Sequence, residues 1–258
     1  MRNVPPNTLA LSHRQSLVEK LSTSLQKRRL WLRDLCGARS RTVKCRYFDT
    51  QFIVDLDDVI GYEIAIRRFE WRELKLMIDA CRRLAPVIFL DVGANIGLYS
   101  CVLGRHKLVP SIIAFEPDRE NFARLQANIA LNALADVIEA RQAAAGNAPG
   151  TVRLVPSDAA NRGMSRIESG AGDGYEVASV ALDAVVPLRD VMIALKVDVE
   201  GYEAQVLTGA QQLLSRNGGF AQIEAREDAA AALVADRMAS FGWRFLERYG
   251  LDLRFEKL

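Results

Sequence analysis

Soft metal ligands are scarce: 258 residues hold two histidines, His13 and His106, and four cysteines, Cys36, Cys45, Cys81 and Cys101. No cysteines form a Cys-x-x-Cys pair and neither histidine pairs with a nucleophile, so a zinc site and covalent catalysis through a thiol have no support. No metal is expected. A chain of this length does not need disulfide staples, which makes free thiols in a reducing cytoplasm the expectation. Also missing is any apolar run near the ~20 residues of a membrane span, and the N-terminus lacks the apolar core of a signal peptide. A soluble, unexported, cytoplasmic protein is expected. An excess of one charge is lacking too. The formal net charge of +2 argues for neither a nucleic-acid surface nor an acidic tail, so no nucleic-acid partner is expected.

What is present begins with a local exception. Residues 1–50 carry eleven basic residues against Glu19, Asp34 and Asp49. From Arg14 to about Leu35, Leu17, Leu21 and Leu25 recur at helical spacing, with Lys27, Arg28 and Arg29 on the polar side. Such a face is either solvated and packed on a domain, which is the preferred reading, or laid on an anionic membrane. Half of the chain is hydrophobic, enough for one α/β domain with a full core. "VKCRYFDTQFIVDL" predicts a hairpin turning near Asp49 and Thr50, and "EWRELKLMIDACRRL" predicts a helix that ends before Pro86.

Beyond Pro86 the pattern becomes a strand and helix alternation. Short apolar runs at 87–90, 111–115, 191–197 and 219–223 predict strands covered on both faces. Helical patterns at 97–105, 118–133, 202–215 and 228–241 fall between most of them, which predicts a parallel sheet with helices on both sides. The final "WRFLERYGLDLRFEKL" predicts an antiparallel edge hairpin around Gly250. The stretch "PSDAANRGMSRIESGAGDGYE" predicts a long irregular loop, the kind that is functional or disordered. The expected organisation is a basic N-terminal extension at 1–42, a hairpin and helix at 43–86, and a ligand-binding domain at 87–258.

"LDVGANIGLYS", residues 90–100, is a glycine turn leaving a buried strand, where open parallel sheets bind ligands. The dinucleotide fingerprint needs a glycine at the position of Asn95 and another at Leu98, and no Gly-Lys-Ser/Thr follows for a phosphate loop. A ligand that approaches the backbone closely without a phosphate fits better, and S-adenosylmethionine is such a molecule. Asp91 would meet its ammonium, and Gly93 and Gly97 would leave room for its amino-acid part and ribose. In "IIAFEPD", Glu116 follows a strand, where a carboxylate can accept from both ribose hydroxyls. Asp118 and Glu120 are explained by the first turn of a helix.

"ALKVDVEGYEAQVLTGA" ends another strand in Asp198, Glu200 and Glu203. Asp198 and Glu200 share a face of an extended chain and would stand beside the ligand, as general base for a substrate hydroxyl or as ligands of a divalent cation. Glu203 belongs to the first turn of the next helix. Glu224, in "FAQIEAR", adds a carboxylate at the same sheet edge.

Together "FLDVGANIGLYS", "AFEPD" with "RENFARLQANIALN", and "LKVDVEGYEAQVLTGA" resemble the FkbM family of S-adenosylmethionine-dependent methyltransferases, from about Val43 to the C-terminus. The resemblance implies a class I methyltransferase fold, a Rossmann-like three-layer sandwich with a mostly parallel seven-stranded sheet and an antiparallel C-terminal hairpin. It implies methyl transfer to a hydroxyl oxygen on a sugar, glycan or natural-product acceptor. By this resemblance the cofactor set is Glu70, Asp91, Gly93, Ala94, Asn95, Gly97, Glu116, Pro117, Asn121 and Ala144. Asp198 and Glu200 are catalytic, and Asn161, Ser165 and Glu224 meet the acceptor under the loop at 156–176. Phe69 replaces the usual Tyr of a Tyr-Glu pair. Two alternatives stand beside this reading: an NAD-linked oxidoreductase, disfavoured by Asn95, and a non-catalytic cofactor-binding protein of the same fold, disfavoured by the intact carboxylates.

Overall fold

The computed structural model describes residues 23–28, 30, 41–157, 162–168 and 173–258. A short helix, α1, covers residues 23–28; the remainder of the basic N-terminal pattern lies outside the described residues. The first hairpin pairs β1 (Thr42–Tyr47) with β2 (Thr50–Asp55). Its turn residues Phe48 and Asp49 both have left-handed φ, 45° and 54°, the backbone that a two-residue hairpin turn requires. Helices α2 (Val59–Ala65) and α3 (Trp71–Leu84) follow. Helix α2 went unpredicted: its Val59, Ile60 and Ile64 are β-branched and Gly61 is a poor helix former. The Asp58 carboxylate caps it, accepting from Gly61 N at 2.9 Å, and burial of Ile64 and Ala65 completes it.

The alternation beyond Pro86 begins as predicted, with β3 (Ile88–Val92), α4 (Leu98–Arg105), β4 (Ile112–Phe115) and α5 (Arg119–Leu131) in succession, and β5 (Ile138–Arg141) follows as a strand the sequence pattern did not predict. A smaller sheet then forms from β6 (Ala144–Ala145), β7 (Gly150–Val155), β8 (Arg166–Glu168) and β9 (Tyr175–Val180), in the order β6-β9-β7-β8. The stretch expected to be a long irregular loop therefore contains a 3-10 turn, Arg162–Met164, and a strand, β8, whose Arg166 pairs with Val155. Three residues of strand carry too weak a periodic signal to read from sequence; the pairing with β7 makes the strand. Helix α6 (Leu182–Val185), β10 (Met192–Val197), α7 (Glu203–Gly209), α8 (Gln211–Arg216), β11 (Gly218–Glu224), α9 (Asp228–Ser240), β12 (Arg244–Tyr249) and β13 (Asp252–Lys257) complete the chain.

The large sheet has seven strands in the order β12-β13-β11-β10-β3-β4-β5. All neighbours from β11 to β5 are parallel, and β13 runs against both β11 and β12. Along β3, Phe89 joins one apolar cluster with the hairpin and α3 to α5, while Ile88, Leu90 and Val92 join the other with α6 to α9. This period of two makes three layers from one sheet. The chain leaves β3 toward β4 on one side and returns through β10 on the other, so the strand order reverses between β3 and β10. That reversal opens a crevice at the carboxyl ends of the two strands. No helix among the described residues is long and apolar enough to cross a membrane.

Candidate active site

The glycine turn is tied to both neighbouring strands before any ligand is considered. Gly93 N and Ala94 N both donate to the Phe115 carbonyl, at 3.0 and 2.9 Å, and Asp198 N donates to the Val92 carbonyl at 2.9 Å. A β-carbon on Gly93 would stand 1.8 Å from the Asp198 carbonyl oxygen, and φ there is +84°. Gly93 is thus glycine because the acidic turn after β10 passes against it. Gly97, at φ +85°, faces Leu125, whose Cδ1 would lie 2.5 Å from an added β-carbon. The room these glycines were expected to leave for a ligand is filled by protein, and Gly97 lies outside the lining of the cavity described below.

The carboxylates at the strand ends are placed by backbone amides. Glu116 Oε2 accepts from Asn95 N at 2.7 Å and Oε1 from Asp118 N at 2.9 Å. Burial pushes its carboxyl up to about 8, against those two hydrogen bonds. Asp91 Oδ2 accepts from Ser100 N and Oγ at 3.2 and 2.6 Å, so it braces the first turn of α4. Asp118 caps α5, accepting from Glu120 N and Asn121 N, each at 3.0 Å, and Glu203 accepts from Gly201 N at 2.9 Å at the start of α7. Both are the helix-start roles that their positions suggested.

Asp198 and Glu200 reach one cavity, but not along an extended chain. Glu200 and Gly201 have φ of 53° and 96°, so the chain turns sharply at the second carboxylate. Asp198 Oδ2 accepts from Lys196 Nζ at 2.7 Å, and Glu200 Oε1 from Arg226 Nη2 at 2.6 Å. Burial works against ionisation of Asp198, yet Lys196 and a hydrogen bond from Glu224 hold its carboxyl below the usual range. Glu224 moves the other way, to about 9, through burial, the charge of Asp198 and their shared hydrogen bond.

Lys196 is the centre that sequence reasoning missed, although it stands in the quoted "LKVDVE". Its alternation along β10 turns it to the face under α3, in register with Asp91 on β3 and Gln222 on β11. It is 4% exposed, with Nζ 4.0 Å from Glu70 Oε2 and 4.8 Å from the centre of the Tyr99 ring. Glu70 starts α3 with a left-handed φ of 43°, and burial pushes it up to about 7. Asp252, at the head of β13 and opposite Glu224, is raised to about 6, also by burial. The signal available in sequence was a single charged or amide residue inside each apolar run, Lys196 in "MIALKV" and Gln222 in "GGFAQIE".

Lys196, Tyr99, Glu70 and Asp252 line one cavity of about 540 Å³. Of the cofactor candidates it brings together Glu70, Asp91, Gly93, Ala94, Asn95, Glu116, Pro117, Asn121 and Ala144. The same lining holds Asp198, Glu200, Ser165 and Glu224, and it adds Lys196, Arg226 and Asp252. Asn161 lies outside the described residues. Gly163, Met164 and Ile167, from the segment expected to cover the substrate, form part of the wall. His106 lies elsewhere, bonded to the Phe48 carbonyl at 2.8 Å. The free thiols of Cys45, Cys81 and Cys101 are pushed up to about 12 by burial and are inert as nucleophiles.

Known proteins are similar to this chain. The methyltransferase FkbM domain matches residues 91–249. Methyltransferase sdnD of Sordaria araneosa is 26% identical over 200 residues, covering 64% of this chain and 77% of that protein. Hexuronic acid methyltransferase AglP of Haloferax volcanii is 30% identical over 129 residues, covering 49% of this chain and 51% of AglP. The crystal structure of methyltransferase FkbM from Methylobacillus flagellatus aligns over 76% of this chain and 52% of that one, with a TM-score of 0.50 at 17% identity, a likeness of fold. The chain thus spans about half the length of AglP and of the crystallised protein. The domain match runs from Asp91, at the glycine turn, to Tyr249, beyond the acidic turn of β10, and covers more than half of the residues: the chain belongs to the FkbM family of methyltransferases.

Proposed function

We propose that this chain transfers a methyl group from S-adenosylmethionine to a hydroxyl oxygen of a sugar, glycan or natural-product acceptor. One observation carries the reading: a single cavity joins the glycine turn and Glu116 to Asp198, Glu200 and Glu224. Its volume of about 540 Å³ is within the roughly 300–1,000 Å³ of small-molecule sites. The name of AglP, a hexuronic acid methyltransferase, supports a sugar acceptor.

The residues fit the cofactor. Glu116 uses one lone pair of each oxygen on backbone amides, which leaves two for a ribose diol. Asp91 spends Oδ2 on Ser100 and keeps Oδ1 for an ammonium. A pyrophosphate would instead enter a wall of eight carboxyl groups and two cationic side chains among the described residues, an electrostatic argument against NAD that joins the one from Asn95. Bound there, S-adenosylmethionine supplies a methyl group already activated on a sulfonium.

The protein's part is to align the acceptor oxygen, exclude water and take up a proton. Apolar Ile60, Leu98, Met164 and Ile167 close the wall against water. Asp198, held ionised by Lys196, orients the hydroxyl. Glu200, made more basic by burial and by the charge of Asp198, receives the proton, and Arg226 steadies it.

Isothermal titration with S-adenosylmethionine and with NAD tests the cofactor: binding of the first alone is expected, and binding of NAD alone overturns the reading. Asp198→Asn and Glu200→Gln, assayed with candidate sugar acceptors, are expected to lose turnover while keeping cofactor affinity. Unchanged turnover in both removes the proposed roles.

A further inference from the structure

We propose that the methyl acceptor is an amphiphile, a hydroxylated head that enters the cavity joined to an apolar body that lies across its mouth on Val59, Met164 and Leu251. The inference rests on the proposed function above and deepens it by naming the chemistry of the acceptor.

The cavity is polar in its depth and apolar at its edge. Asp91, Glu116 and Lys196 are buried, whereas Val59, Met164 and Leu251 line the same cavity and stay 53%, 39% and 42% exposed. Water ordinarily selects the reverse order, with polar groups outside and apolar ones within. Single exposed apolar side chains are common, but a group of them bordered by polar residues at a cleft marks a contact surface for a ligand. None of the three belongs to the set of residues assigned to the cofactor, which leaves the acceptor to cover them.

Three separate segments build the patch. Val59 begins α2, and Tyr62, also exposed, stands one helical turn further along the same side. Met164 ends the 3-10 turn Arg162–Met164, and that turn is pressed against α2, since a β-carbon on Gly163 would stand 2.2 Å from Ile60 Cδ1. Leu251 comes from the turn between β12 and β13, after Gly250 with its left-handed φ of 60°. The Leu251 carbonyl is fixed by Ala225 N at 2.9 Å, next to Asp252 on the cavity wall. The polar depth suits the hydroxyl that Asp198 and Glu200 receive. A free sugar, polar on all sides, would leave the mouth in contact with water, and an apolar body joined to the hydroxylated head covers it. Because the patch borders a cavity, it fits a single molecule rather than a bilayer.

The test is isothermal titration of the full chain, saturated with S-adenosylhomocysteine, with methyl, butyl and octyl β-D-glucoside below the micelle concentration. Affinity is expected to rise with alkyl length, by about tenfold or more from methyl to octyl, since each methylene laid on an apolar surface adds to binding. Val59→Ser and Met164→Ser are each expected to reduce that octyl-to-methyl ratio about threefold and to leave the affinity for S-adenosylmethionine unchanged. Leu233→Ser, on α9, removes a comparably exposed apolar side chain outside the cavity lining and is expected to leave the ratio as it is. A flat wild-type series overturns the inference, as does a ratio that survives both Val59→Ser and Met164→Ser. Wild-type sedimentation with phosphatidylcholine vesicles that Met164→Ser abolishes also overturns it, in favour of a bilayer. Binding of S-adenosylmethionine without an effect of alkyl length leaves the cofactor reading in place, and failure to bind S-adenosylmethionine overturns both. The wild-type titrations therefore decide even where a variant fails to fold.

Discussion

Glu116, Glu224 and Glu70 carry carboxyl groups that burial raises to about 8, about 9 and about 7 from an ordinary 4.5. Each folded value stands above the unfolded one, so the folded chain binds more protons through this window. The stability these groups contribute is whole below 4.5 and is lost as pH climbs through the folded values. The melting temperature of the ligand-free chain is therefore expected to fall between about pH 5 and about pH 9. Glu116→Gln is expected to flatten that slope in a thermal-denaturation series, and an unchanged slope would show that Glu116 does not titrate there. Lys196 is the opposite case, a buried cation whose charge its carboxylate neighbours maintain against desolvation. Removing one member of a buried pair leaves the other uncompensated, so Lys196→Met is expected to cost about 3 kcal/mol in urea denaturation. The motif containing Lys196 was legible in the sequence, but its role was not, because a lysine in an apolar strand acquires its partners from β3, α3 and β13.

Among the elements, the glycine turn and helix α3 position the site. Gly93→Ala combines a left-handed φ with a β-carbon 1.8 Å from the Asp198 carbonyl oxygen. The conformation alone costs about 1 kcal/mol, and the clash with backbone adds to it. The variant is expected to melt lower and to lose ligand affinity, both readable in one thermal-shift series with and without S-adenosylmethionine. Helix α3 buries Leu74, Met77, Ile78, Ala80 and Cys81 and carries Glu70 at its start. Leu74, 0% exposed, is expected to cost about 3 kcal/mol as Leu74→Ala, measured by urea unfolding. Elements with a long periodic signal, such as α3, α5 and the buried strands, were readable within a few residues. Helix α2 and strand β8 were not, since a cap and a pairing partner make them, and neither is a property of their own composition.

For the whole molecule, the decisive feature is the reversal of strand order between β3 and β10, which sets Asp91 beside Lys196 although the two are far apart in sequence. The terminal hairpin adds a second long-range contribution. Pairing of β13 with β11 sets Asp252 opposite Glu224, and Ala225 N donates to the Leu251 carbonyl at 2.9 Å. A ligand that binds only this assembled crevice stabilises the entire fold. At a hundredfold excess over Kd the gain is about 2.7 kcal/mol, or roughly 5–10 °C for a domain of this size. S-adenosylmethionine is expected to produce that shift in a melting experiment and NAD none; equal shifts would contradict the charge argument against a pyrophosphate.

The sequence by itself determined the strand and helix alternation, the antiparallel end, the glycine turn and the carboxylates at the strand termini, because hydrophobic periodicity and turn chemistry act over neighbouring residues. Only the tertiary structure decided that the acidic turn after β10 packs directly against Gly93, that Lys196 sits beneath α3 among Glu70, Asp198 and Asp252, and that Glu224 and Asp198 share a hydrogen bond. Those relations depend on strand order, register and burial, which set the distances and the desolvation that give each charge its state.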